Sequence, residues 1–409
     1  MTLFPALAER QVRLYLVGQF VSMLGSWVLD ITLNLLVWQA THSPAMLGAL
    51  NALLYGPSVL VTPLLGTRLT AGNARRITLT VLVAALGVAL LLLAAAALHG
   101  LPLALLFSAA LLRGILGGME VPSRQMLLMN ISDDAAQRSS AIALNTVAFL
   151  LARTLGPGLA AVMFEPLGPA WGFALAALAT IFMLTCVARL RAQVVQPSAA
   201  PVGRGGAMGL AWAFVRTDRL GTLLLPMSAC VALCVSAYQT LIPVLASRVF
   251  GDAPRWTGRF FAAAGVGALI AAVLLSSRHL DPIVRRLLLV VPWTGALALA
   301  VLGTTDEPAV ALASFAVLGF CTSFVGTATN TLLHRRIPPE ARGGLIGLFL
   351  LAFNGAMPLG QLLAGTVAGR WSAAAALFLL SALLFAALLV LCGCRWRELG
   401  RVELDVFKV

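Results

Sequence analysis

Apolar runs of about twenty residues, separated by short polar turns, repeat from one end of the chain to the other. A run of that length crosses a bilayer core as an α-helix, and an open sheet cannot satisfy its backbone in lipid. The pattern predicts twelve helical spans, near residues 13–38, 46–67, 77–98, 102–123, 139–163, 168–189, 220–247, 258–277, 286–303, 308–332, 343–368 and 373–393. The rhythm breaks between Arg189 and Arg219. There QPSAAPVGRGG reads as a flexible linker, and Met208 to Val215, with Trp212 and Phe214, as a short interfacial amphipathic helix. The two flanking halves echo each other. RQMLLMNISDDAAQR follows the fourth span and TNTLLHRRIPPEARG the tenth, and each precedes a span with a late proline, Pro157 or Pro358. The expected architecture is all-α, with two pseudo-symmetric six-helix bundles at residues 1–190 and 219–394, a linker at 191–218 and a tail at 395–409. Two such halves suit alternating access around a site at the midplane.

Composition sharpens this picture. With 60% hydrophobic and 11% charged residues and a mean hydropathy of +0.96, the chain lies far from soluble domains. A net charge of +13 would suit nucleic acid, but the basic residues fall in short clusters between apolar spans, so cationic loops are expected and no nucleic-acid partner. Twenty-two Lys and Arg fall in the even-numbered loops and termini, against four in the odd loops (Arg248, Arg255, Arg259 and Arg370). By the positive-inside rule both termini are cytoplasmic. The first apolar run has no cleavage site and reads as a span. Cys186, Cys230, Cys234, Cys321, Cys392 and Cys394 lie almost entirely in apolar spans without nearby His or carboxylate, so neither disulfides nor a metal site are expected, and no cofactor.

Charge inside the spans carries the chemistry, because ionisable groups at membrane depth are costly and mark a pathway. Arg113 and Glu120 lie in the fourth span and Arg153 in the fifth, among Gly114, Gly117, Gly118, Gly156 and Gly158, small residues that let backbones approach. Arg113, Gly117 and Glu120 share a helix face, as do Asp30, Trp27 and Asn34 in the first span. Asp30 lies about 25 Å from Arg13 along a helix, and Arg113 about 17 Å from the outer end of its span, so the two side chains can approach. Asp30 could carry a proton, bind a cationic substrate group or pair structurally with Arg113. Arg113, Glu120 and Arg153 could instead form an ion-pair set holding spans four and five together. In the second half the candidates are neutral: Tyr238, Gln239, Asn330, Asn354 and Gln361. They could hydrogen-bond a polar substrate or simply join helices.

RG at Arg113 and Gly114, PSRQ at Pro122 to Gln125, AIALN at Ala141 to Asn145 and ARTLGP at Ala152 to Pro157, with the opening RLYLVGQFVSMLGSWVLDITLNLLVWQATHSP, resemble the major facilitator superfamily. The match is to its drug and siderophore exporter branch, with enterobactin-exporter-like and macrolide-efflux-like members. The resemblance implies a bacterial inner-membrane protein working as a monomer on a small molecule and protons. It also implies that Gly156-Pro157 bends the fifth span, which favours export, and that the Arg in span four couples protons. A cytoplasmic gate is implied at Gly66, Arg75 and Arg76, with Thr70 where the family has Asp, and again at Asp281, Arg285 and Arg286. Equally, these are plain topogenic clusters. The expected function is proton-coupled export of a siderophore; multidrug efflux, import and lipid movement on the same fold are the alternatives. An intramembrane enzyme or sensor is disfavoured, since His42, His99, His279 and His334 are scattered and no catalytic carboxylate pair or nucleotide loop is present.

Overall fold

The computed structural model describes residues 7–66, 68–70, 72–98, 100–131, 135–190, 204–218, 220–276, 281–338 and 341–393. Twelve helices, or helix pairs, are long and apolar enough to span a membrane. The first half holds α1 (Arg10–Thr41), α2 (Pro44–Gly66), α3 (Ala74–Ala97), α4 (Leu103–Asn130), α5 (Ala135–Leu167) and α6 (Pro169–Arg189). After α7 (Arg204–Thr217) come α8 (Gly221–Cys234), α9 (Tyr238–Arg248), α10 (Ala253–Ser276), α11 (Asp281–Thr304), α12 (Pro308–Arg336), α13 (Arg342–Phe349), α14 (Gly355–Arg370) and α15 (Ala373–Gly393). The described helices form two bundles of six spans each, as the sequence pattern predicts. The end where α1 begins is called proximal below, and the end where α1 stops is distal.

Two predicted spans are interrupted. The seventh divides into α8 and α9 at residues 235–237, where Tyr238, Gln239 and Thr240 donate backbone bonds to carbonyls three residues back. The eleventh carries a π-turn at Leu350–Asn354 between α13 and α14. Such turns recur at functional sites because they re-aim the side chains beyond them. Residues 191–203 of the linker and the whole tail at 395–409 lie outside the described residues. Helix α7 packs Ala211 and Val215 into a cluster with Leu345, Leu348 and Phe349, while Met208, Leu210 and Trp212 stay exposed. An Arg336–Asp218 pair at 3.1 Å pins its end to α12.

Small residues decide where helices touch. A Cβ on Gly114 or Gly118 would run into Leu53, Leu54 and Ser58 of α2, so these glycines serve the α2–α4 contact and not an α4–α5 one. Pro122 lies inside α4 and removes the amide that would pair with the Gly118 carbonyl. The Thr62 hydroxyl of α2 donates to that oxygen at 3.0 Å instead, so no acceptor is stranded at membrane depth. Gly156 seats Trp27 of α1, whereas Gly258 of α10 faces Gly158 and Ala161 of α5.

The halves meet along two equivalent pairs, α2 with α14 and α5 with α10. At the distal end Gly48 packs against Gly365 and Gln361, and Gly365 against Pro44. Asn34 bonds Asn51, whose Nδ2 donates at 3.2 Å to the Thr240 hydroxyl of the other half. Within the second half Gly267 and Gly319 let α10 and α12 approach until each would place a Cβ on the other's backbone, at Ala316 and Ala264. Around Gly87 of α3, by contrast, nothing lies within 4 Å of where a Cβ would stand. Gly319→Leu should therefore lower the Tm of the purified protein by several degrees, an overpacking cost of roughly 1–3 kcal/mol. Gly87→Ala should leave it unchanged or raise it; equal losses in both variants would contradict this packing.

Candidate functional site

A cavity of about 590 Å³ runs from Trp27 and Asp30 toward the proximal ends of α1 and α4, where Tyr15, Gln125 and Leu128 line it. Its lining follows helical spacing: Tyr15, Gln19, Met23, Ser26, Trp27 and Asp30 from α1, and Arg113, Gly117, Glu120, Val121, Arg124, Gln125 and Leu128 from α4. Helix α2 adds Leu54, Tyr55 and Ser58, and α5 adds Asn145, Thr146, Phe149 and Arg153. The second half contributes Gln239, Phe353, Asn354 and Met357. All the charged residues of the lining thus come from the first half. The distal contacts at Gly48, Gly365 and Asn51 close the opposite side.

The charges form a chain. Asp30 accepts from Arg113 Nε at 3.4 Å, and Arg113 Nη1 reaches Glu120 Oε2 at 3.5 Å. Glu120 Oε1 takes the tighter bond, 2.8 Å from Arg124 Nη2. Arg124 also donates to Gln19 Oε1 and Ser22 Oγ, both at 2.9 Å, and its carbonyl accepts from the Tyr15 hydroxyl at 2.8 Å. Arg124 is therefore a tight clamp between α1 and α4, with Arg113 and Asp30 on longer contacts beside it. Asp30 is 8% exposed and Arg124 4%, so neither charge is free in solvent.

The hydropathy pattern ends the fourth span before Arg124 and leaves that residue in a cationic loop; the structure corrects this. Helix α4 continues to Asn130, past Pro122, so Arg124 lies one turn after Glu120 on the cavity face. That i, i+4 spacing was the available signal. The alternative Arg113–Glu120–Arg153 set is not formed: Arg113 pairs with Asp30 of α1 and, within α4, with Glu120, which also pairs with Arg124, and no ion pair among the described residues engages Arg153. The Arg153 guanidinium lies 5.9 Å over Trp27 and 3.5 Å from the Tyr238 hydroxyl.

The other candidates divide. Gln239 and Asn354 line the cavity, whereas Gln361 is fully buried and bonds Gln239 at 3.4 Å; Tyr238 reaches Arg153 from a buried position, and Asn330 does not line the cavity. Asn34 faces Asn51 and stands outside the lining. Three lining residues share a local device. Arg153, Gln239 and Asn354 each precede a proline by four residues (Pro157, Pro243 and Pro358), which removes the amide their carbonyls would meet in a regular helix. Of the gate candidates, Arg75 donates to the Val187 and Ala188 carbonyls at 3.3 and 2.8 Å, bracing the end of α6 within its own half. Gly66 ends α2, Arg76, Arg285 and Arg286 are in helices, and the side chain of Asp281 lies outside the described residues. Cys186, Cys230, Cys234 and Cys321 are free thiols. Among the described residues no cluster of three His, Cys, Asp or Glu could hold a metal ion.

Comparison with known proteins agrees with the fold. The model of the transmembrane secretion effector family matches residues 1–407. A staphyloferrin A transporter of Staphylococcus aureus is 23% identical over 354 residues, covering 85% of this chain and 86% of that protein. Among solved structures, the nucleoside transporter NupG superposes with a TM-score of 0.72 at 14% identity, covering 94% of this chain and 99% of that one. The human organic anion transporter MFSD10 gives 0.63 at 18% identity, covering 95% and 99%.

Removing one partner of a buried pair leaves the other charge stranded, at a cost of about 3–5 kcal/mol, whereas removing both can be neutral. Arg124→Met should therefore depress the Tm strongly, and Glu120→Gln in the same chain should restore most of the loss. No recovery in the double variant would show that Glu120 is not what Arg124 balances.

Proposed function

The chain belongs to the transmembrane secretion effector family, a set of transporters, and from that premise we propose that it exports a siderophore across the bacterial cytoplasmic membrane by proton-coupled alternating access. The observation that carries the proposal is the Asp30–Arg113–Glu120–Arg124 chain, buried beside a cavity that is closed distally. The arginine bias puts the termini in the cytoplasm, which makes the cavity inward-open. The two bundles, at 1–190 and 219–394, rock about the α2–α14 and α5–α10 contacts, with residues 191–218 as the tether and 395–409 as a cytoplasmic tail.

Asp30 is the proton carrier in this reading. Desolvation favours a neutral carboxyl and a nearby guanidinium favours an ionised one, so a change in the 3.4 Å Arg113 contact on passing between states would load or release the proton. The Arg124–Glu120 clamp is the fixed part, since three further bonds hold it. The family's description as secretion effectors and Gly156-Pro157 on α5 support outward movement, and the 23% identical staphyloferrin A transporter supports a siderophore.

The apolar share of the lining, Met23, Trp27, Phe149, Phe353 and Met357, favours a second reading as a macrolide-like multidrug pump. One comparison separates the two. Iron-starved cells carrying no copy, the intact protein or Asp30→Asn are assayed for chelating metabolites inside and outside. Siderophore export predicts retention without the protein, release with it and at least tenfold less release from the variant. An unchanged chelator profile with altered tolerance of lipophilic drugs selects the multidrug pump, and accumulation instead of release selects an importer.

A further inference from the structure

The cavity's charges do not balance. Its lining holds the guanidinium groups of Arg113, Arg124 and Arg153 against the two carboxylates of Asp30 and Glu120. Both carboxylates are spent on Arg113 and Arg124. Among the described residues Arg153 meets the Tyr238 hydroxyl and the Trp27 indole face and forms no ion pair, contacts that orient a guanidinium without neutralising it. A half-buried cation without a counter-charge attracts an anion that enters the cavity.

The surroundings of Arg153 are those of a binding position. Asn145, Phe149 and Arg153 recur every four residues and line the cavity along one face of α5. The Asn145 side-chain oxygen is buried with no partner, an acceptor left over for a hydroxyl or N–H of a ligand beside the charged group. The Arg153 guanidinium also touches Tyr238 of the opposite half, with Gln239 and Asn354 in the same cavity wall. A ligand anchored there would contact both bundles, as a substrate that reports its occupancy to alternating halves must. The planar fork of a guanidinium suits a planar oxyanion, above all a carboxylate, better than a spherical ion.

Resting on the exporter reading for the presence of a substrate in this cavity, we infer that Arg153 is the docking point for an anionic carboxylate group of that substrate. The substrate is then a carboxylate-bearing amphiphile, its charged end on Arg153 and its neutral remainder against Phe149, Phe353 and Met357. Arg113 and Arg124 serve Asp30 and Glu120, so anion recognition and proton handling fall to different arginines.

The test uses the full chain in nanodiscs of zwitterionic lipid, where no anionic headgroup competes, titrated calorimetrically with citrate as the probe and triethyl citrate as its neutral control. Citrate should bind the intact protein and the ester should not. Arg153→Gln should weaken citrate binding at least tenfold, and Arg153→Lys, which keeps the charge without the fork, by a smaller factor. Gel filtration and Tm establish that both variants are folded. Equal citrate affinity in Arg153→Gln, equal binding of the ester, or no citrate binding to the intact protein overturns the inference. The two readings fail separately. A protein that binds citrate through Arg153 but releases no chelator from cells loses the exporter reading; one that releases a chelator undiminished by Arg153→Gln loses the anion site.

Discussion

Charge placed at membrane depth is costly unless it is paired or faces a cavity, and the first half of this chain is organised around that constraint. Glu120 is shared by two arginines, at 2.8 Å to Arg124 and 3.5 Å to Arg113. The unequal sharing divides the cluster by role. Arg124 is committed, because Gln19, Ser22 and Glu120 all accept from it and Tyr15 donates to its carbonyl. Arg113 is held by two longer contacts and stands between Asp30 and Glu120. A cluster with one tightly and one loosely held arginine keeps α1 and α4 together and, in the proposed mechanism, leaves a carboxylate whose partner changes.

The second half brings almost no charge to the cavity and meets it with backbone irregularity instead. The break between α8 and α9 precedes Tyr238 and Gln239, and the π-turn before α14 contains Phe353 and Asn354. Room for the Phe353 ring comes from Gly326 of α12, where a Cβ would lie 2.9 Å from it. Prolines four residues beyond Arg153, Gln239 and Asn354 soften the three helices at the level of the cavity. Rigid glycine contacts at the distal end, such as Gly48 on Gly365, and softened helices at the midplane together make rocking of the halves mechanically reasonable.

The spans were legible because a continuous apolar run in lipid satisfies its backbone as a helix, a closed barrel needing short alternating strands instead, and twenty residues is a length that few other structures need. The Asp30–Arg113 meeting was legible from rise per residue alone. Arg124 was not, because a span ended at the first polar cluster after Pro122 hides the turn in which the helix continues with Thr62 repairing the break. The glycines marked close approach but not the partner: Gly114 meets α2, Gly156 meets α1, and Gly258 meets α5. The breaks at 235–237 and 350–354 contain no proline or glycine of their own, so the signal lay only beyond them, in Pro243 and Pro358. Neutral polar residues were the least legible, because Gln361 in a helix contact and Asn354 in the cavity wall look alike until the neighbouring helices are in place.

Asp30 as the exchangeable proton site is most directly tested by infrared difference spectroscopy of the purified protein between alkaline and acidic pH. The arrangement predicts a protonated-carboxyl band that appears on acidification in the intact protein, persists in Glu120→Gln and is missing from Asp30→Asn. The same band in Asp30→Asn, or its loss only in Glu120→Gln, would move the proton to Glu120 and contradict the division between the fixed and the exchangeable part of the cluster.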